Sequence, residues 1–191
     1  MDTPKPILTV VVGSTRPGRV GLPVARWIAE HAREHGAFDV RVADLAEVAL
    51  PLFDEPHHPR LRRYQHEHTR RWSAIVEPSD AFVFVTPEYN HGMPAALKNA
   101  LDYLSGEWAR KPAAIVSYGG VSAGLRAAGQ LKQVLAALQV VVVGGGVPIP
   151  MIRERVRNDA VEANEPMTKA VEAMLEELVR WNVALRPMRT G

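Results

Sequence analysis

The feature that most constrains this chain is the run at residues 81–85, Ala-Phe-Val-Phe-Val, set between Asp80 and Thr86-Pro87. Apolar residues in succession, without polar alternation, require that both sides of the strand be buried. Such a strand belongs inside a sheet covered on both faces. Shorter apolar runs at residues 7–12, 113–117 and 140–143, with a weaker one at 40–44, read as four more strands.

Segments of helical period separate these runs. Residues 21–35 place Val24, Trp27 and Ile28 on one face, with Val20 just ahead and Gly36 placed to stop the helix. Residues 61–76 read as a basic helix carrying Arg62, Arg63, Arg70 and Arg71. A helix opening near Pro94 repeats Leu97, Ala100, Leu101 and Leu104 at helical spacing, and residues 123–138 and 165–185 complete the set. Parallel strands need crossover helices. The expectation is an α/β three-layer sandwich, a five-stranded parallel sheet with helices on both faces, in one domain over residues 1–191.

Composition removes several classes of chemistry. There is no cysteine, which excludes disulfides, thiolate metal sites, iron–sulfur ligation and thiol nucleophiles. A formal net charge of +2 supplies no global field toward nucleic acid. The opening apolar run is too short for a signal segment or a membrane span, so a cytoplasmic protein with no membrane partner is expected. His66 and His68, two apart on the expected helix, would point to opposite sides and share no metal ion.

Ligands of doubly wound sheets bind beyond the carboxyl ends of the strands, at the topological switch point. The loops to read there are residues 13–21, 87–93 and 117–124. The first, Gly13-Ser14-Thr15-Arg16-Pro17-Gly18-Arg19, leads into a helix and offers glycine turns, hydroxyls, guanidinium groups and unpaired N–H groups to an anion. Arg19-Val20 stands where a Walker loop needs Lys-Ser/Thr, and G-x-G-x-x-G is absent although Asp44 lies near the end of strand two. A terminal monophosphate such as that of FMN fits better than ATP, GTP or a dinucleotide.

The second loop, Thr86-Pro87-Glu88-Tyr89-Asn90-His91-Gly92-Met93-Pro94, is stiffened by prolines and suits the heteroatom edge of a flat ring. Its backbone is expected to matter more than the Glu88 carboxylate. His91 reads as a solvated loop residue. The third, Ser117-Tyr118-Gly119-Gly120, permits close backbone approach at its glycines, with Tyr118 placed to cover a ring edge.

These loops, with Leu97-Lys98-Asn99-Ala100-Leu101-Asp102-Tyr103, resemble the NADPH-dependent FMN reductase family over roughly residues 7–143. The resemblance implies a flavodoxin-like fold, FMN as cofactor, and NADPH or NADH as co-substrate. It further implies a homodimer or homotetramer, and a small acceptor such as a flavin, quinone, azo or nitro compound, or metal ion. Carried over, Ser14 and Arg16 match the family's phosphate positions, and Pro87, Glu88, Tyr89 and Asn90 its ring loop. Ser117, Tyr118, Gly119 and Gly120 match the loop beside the ring. Many relatives have Ser-aromatic-Asn where this chain has Arg19-Val20-Gly21, so phosphate binding there would rest on Arg19 and the N–H groups of Val20 and Gly21. With bound FMN carrying the hydride chemistry, no catalytic acid–base residue is required and ping-pong turnover follows. A flavodoxin-like electron carrier and a flavin-free scaffold are the alternatives; the first is expected to show a conspicuous acidic docking surface, whereas this chain is slightly basic.

Overall fold

The computed structural model describes residues 4–189; residues 1–3 and 190–191, the ends of the expected domain, lie outside the described residues. The chain runs β1 (Ile7–Val12), α1 (Gly21–His35), β2 (Asp39–Asp44), α2 (Leu45–Val48), α3 (Glu67–Val76), β3 (Ala81–Pro87), α4 (Ala95–Asp102) and β4 (Pro112–Tyr118). It continues through α5 (Leu125–Ala137), β5 (Val141–Val142), β6 (Val147–Ile149), α6 (Ile152–Arg155), β7 (Val156–Arg157), β8 (Ala160–Val161) and α7 (Glu165–Leu185).

The main sheet is parallel, in the order β2-β1-β3-β4-β5. Its direction of growth reverses between β1 and β3, which is the switch point. Every residue of β3 and β4 is buried, as the unbroken apolar run at 81–85 requires. Successive side chains alternate faces. Val10, Val12, Val83, Val85 and Val116 pack with Val24 and Ile28 of α1 and Val171 and Leu175 of α7. Val11, Phe82, Phe84 and Ile115 pack on the opposite face with Trp72 of α3, Leu97 and Leu101 of α4, and Leu131 of α5. The α/β three-layer, flavodoxin-like architecture expected from the sequence is the one observed.

Two local readings are amended. The edge of the sheet, expected to end with a fifth strand over residues 140–143, does not end before Gly144-Gly145-Gly146. β5 pairs with Pro112 and Ala113 at the start of β4, and β6 resumes the same side of β4 against Val116, Ser117 and Tyr118. Between the two, Gly146 runs so close to β4 that a Cβ would lie 2.8 Å from the Ile115 carbonyl oxygen. The Gly145 N–H donates to Glu177 Oε2 at 2.7 Å. A side chain at Gly146 would push the two segments off β4.

The basic segment 61–76 is helical only from Glu67. A short 3-10 turn, Pro59–Leu61, precedes it, and Arg62 at φ 51 breaks continuity. The Glu55 carboxylate accepts the N–H groups of Gln65 at 2.8 Å and His66 at 3.0 Å, fixing where α3 begins. His66 therefore sits just outside the helix, and its ring stacks on His68 at 5.1 Å rather than facing away. Among the described residues no three His, Asp or Glu side chains are arranged to hold a metal ion. Arg62 is tied to Glu77 and Glu107, near the N-terminal ends of β3 and β4. That is the end of the sheet opposite the switch-point loops.

A β7–β8 hairpin adds to the expected elements. Asn158 and Asp159 both take positive φ, the backbone of a two-residue hairpin turn. Val156 and Val161 pack against the α1–α7 core.

Candidate functional site

A cleft of about 380 Å³ opens beyond the carboxyl ends of the central strands, within the size range of small-molecule sites. Arg16, Pro17, Gly18, Arg19 and Val20 form one wall, Pro87, Glu88 and Tyr89 another, and Tyr118, Gly119 and Gly120 a third. All three loops singled out in the sequence meet here. Of the expected site residues, Arg16, Arg19, Val20, Pro87, Glu88, Tyr89, Tyr118, Gly119 and Gly120 line the cleft directly.

The other four are placed differently. Ser14 is fully buried, its hydroxyl 2.7 Å from the Tyr89 hydroxyl. Gly21 is the first residue of α1 and is also buried. Ser117 lies within β4 between β3 and β6. Asn90 is exposed at the tip of a turn.

That turn explains the stiffness of the second loop. Tyr89 and Gly92 exchange backbone hydrogen bonds, each at 2.9 Å, while Asn90 and His91 take φ 48 and 69 between them. Two successive left-handed residues make a tight hairpin turn, so Tyr89 leaves β3 on a fixed trajectory. His91 is exposed at the turn.

The cleft has positive groups on its first wall. Arg16 has no carboxylate partner among the described residues. Arg19 is held from below. Its Nη2 contacts Asp44 Oδ2 at 2.5 Å, while Asp44 Oδ1 accepts the Ala46 N–H at 3.0 Å and so caps α2. The acidic residue at the end of strand two thus orients an arginine. Arg19 Nε is buried and has no partner among the described residues, an uncompensated donor of the kind a bound anion satisfies. Together these groups fit a phosphate.

The sequence did not point to residues 151–154. Met151, Ile152, Arg153 and Glu154 line the cleft opposite the first loop. They are carried there by β6 and zipped to the third loop, where Gly119 N–H donates to Ile149, Met151 N–H to Gly120 and Ile152 N–H to Gly119, all at 3.0–3.2 Å. The available signal was Val147-Pro148-Ile149, with Val147 and Ile149 apolar and buried around a proline. Ending the fifth strand at the glycines hid it.

A doubly wound sheet with order 2-1-3-4-5 and an anion-suited cleft at its switch point defines a flavodoxin-like α/β protein. Residues 6–153 match the NADPH-dependent FMN reductase family. The chain belongs to that family. It is 39% identical over 169 residues to an NAD(P)H-dependent FMN reductase of Schizosaccharomyces pombe, covering 87% of this chain and 83% of the relative. It is 40% identical over 154 residues to the NAD(P)H-dependent FMN reductase LOT6 of Saccharomyces cerevisiae, covering 74% and 80%. Among solved structures, the flavoenzyme FerB of Paracoccus denitrificans superposes with a TM-score of 0.75 at 24% identity, covering 94% of this chain and 98% of that one; that likeness bears on the fold alone. Among the described residues no helix is long and apolar enough to cross a membrane.

Proposed function

We propose that this protein is a cytoplasmic, single-domain, homo-oligomeric oxidoreductase. It binds FMN in the switch-point cleft and uses it to move electrons from NADPH or NADH to a small acceptor in a ping-pong cycle. The observation that carries the reading is the meeting of three loops in one cleft: an arginine-bearing first loop, a rigid turn after β3, and a glycine-rich third loop. Bound there, FMN would supply hydride acceptance and electron delivery.

The protein's part is placement. Arg16, Arg19 and the N–H groups of Val20 and Gly21 would take the phosphate. Pro87, Glu88, Tyr89 and Asn90 would present backbone to the ring, and Ser117, Tyr118, Gly119 and Gly120 would close its far side. Flavins, quinones, azo and nitro compounds and metal ions are the acceptor classes to compare; the sequence relatives include an NADPH azoreductase of a Bacillus species and a quinone reductase of Pseudomonas putida.

The test is anaerobic turnover of the FMN-loaded protein with each nicotinamide across that panel of acceptors. Parallel double-reciprocal lines for at least one acceptor are expected. Protein that retains FMN but oxidises neither nicotinamide would favour an electron carrier.

A further inference from the structure

Tyr118 occupies a position that its sequence context does not suggest. It ends β4 beside the glycines of the third loop, a place suited to covering a ring edge. Instead the residue is only 4% exposed, and its hydroxyl is turned toward the start of α1. A Cβ built on Gly21 would lie 2.5 Å from that oxygen and 3.5 Å from the ring carbon bearing it. Gly21 does not take a positive φ, so its backbone conformation is open to any residue. The absent side chain is therefore explained by space, and the space is taken by a phenol oxygen.

The surroundings of that oxygen are polar. Tyr118 interacts with the Ser14 hydroxyl, which in turn bonds Tyr89, and with the Arg19 guanidinium. Arg19 carries the buried Nε, without a partner among the described residues. The first loop thus brings together hydroxyls from three separate segments and one uncompensated donor. At the start of α1, Arg19-Val20-Gly21 offers no side-chain hydroxyl or amide of its own. Burial raises the Tyr118 pKa well above that of a free phenol, so the group stays a donor at working pH.

Resting on the flavin reading above, we propose that Tyr118 is a phosphate-binding residue, its O–H, seated in the space that Gly21 leaves, donating to the 5′-phosphate of FMN. The third loop then reads the phosphate as well as the ring. Gly21 and Tyr118 act as a pair, each chosen for the other.

Flavin titrations of wild type, Tyr118→Phe, Gly21→Ala and the double variant, followed by quenching of flavin fluorescence, test this with FMN and with riboflavin as probes. Tyr118→Phe is expected to weaken FMN about tenfold, the scale of a lost hydrogen bond to a charged group, and to leave riboflavin unchanged. Gly21→Ala, which displaces the phenol, should give the same selective loss in the wild-type background. Added to Tyr118→Phe it should cause no further loss, because the obstructing oxygen is already gone. Equal weakening of both flavins, or no change in either, overturns the proposal. Wild-type protein that binds neither flavin would instead overturn the flavin reading on which it stands.

Discussion

Glu88 and Arg126 are joined twice: Arg126 Nη1 donates to Glu88 Oε1 at 2.7 Å, and the Arg126 backbone N–H donates to Oε2 at 3.0 Å. Ser122 Oγ adds a third bond at 3.1 Å. The carboxylate, expected from sequence to matter less than its backbone, fastens the turn after β3 to the first turn of α5. Burial pushes its pKa up, but the Arg126 and Ser122 hydrogen bonds outweigh that and hold it below the usual glutamate range. A depressed carboxylate contributes stability that is complete above its unfolded value, about 4.3, and lost as pH falls through its folded value. Glu88→Ala should therefore lower Tm near neutral pH and erase part of the acid-induced loss in the interval below about pH 4. Thermal melts of both proteins across that interval check it; parallel curves would count against the clamp.

Lys111 should produce a rise in stability at alkaline pH. Its Nζ donates to the carbonyls of Val76 at 3.1 Å and Glu77 at 2.8 Å, closing the end of α3, and it is 7% exposed. Burial pushes its pKa down to about 8, against the opposing attraction of Glu77. With an unfolded value near 10.4, the unfolded chain holds more protons between the two values, and stability rises with pH there. The gain is on the order of 3 kcal/mol. Urea unfolding at pH 7.5 and pH 10, compared with Lys111→Met, isolates it; the variant should lack the rise.

Arg16 lacks a carboxylate partner among the described residues, so an anion in the cleft would meet its full charge. Arg16→Ala is expected to weaken FMN about tenfold and to flatten the dependence of affinity on ionic strength. Riboflavin binding should not change. Titrations at low and high salt decide the matter, and an unaltered salt slope would place Arg16 outside the phosphate contacts.

Trp108 anchors the face of the sheet remote from α1. Its ring lies 5.0 Å from Phe82 and 5.9 Å from Trp72, fully buried, with its Nε1 donating to the Leu101 carbonyl at 3.3 Å. Trp108→Ala should cost about 3–5 kcal/mol, measured by denaturant unfolding. A loss below about 1 kcal/mol would mean that the region repacks.

The strands and most helices were legible because two-sided burial leaves unbroken apolar runs, as at residues 81–85, and amphipathic period marks helices such as residues 165–185. The candidate cleft was legible where its lining is local: Arg16 and Pro87 lie in loops whose composition alone is distinctive. What was missed depends on contacts distant in sequence. The start of α3 is set by Glu55, ten residues before Gln65. The place of Tyr118 is set by Gly21, and the fourth cleft wall by backbone bonds between residues 119–120 and 149–152. No local pattern carries such information.

The interrupted outer strand has a consequence for life at high concentration. A continuous edge would present an unbroken row of N–H and C=O groups that another chain could join. Here the row is cut: β5 spans Val141–Val142, β6 spans Val147–Ile149 with Pro148 at its centre, and the Gly145 N–H between them is already spent on Glu177. Crowded copies find no template of useful length along that margin. The glycine run that lets the chain reach the cleft also breaks up that margin as a pairing template.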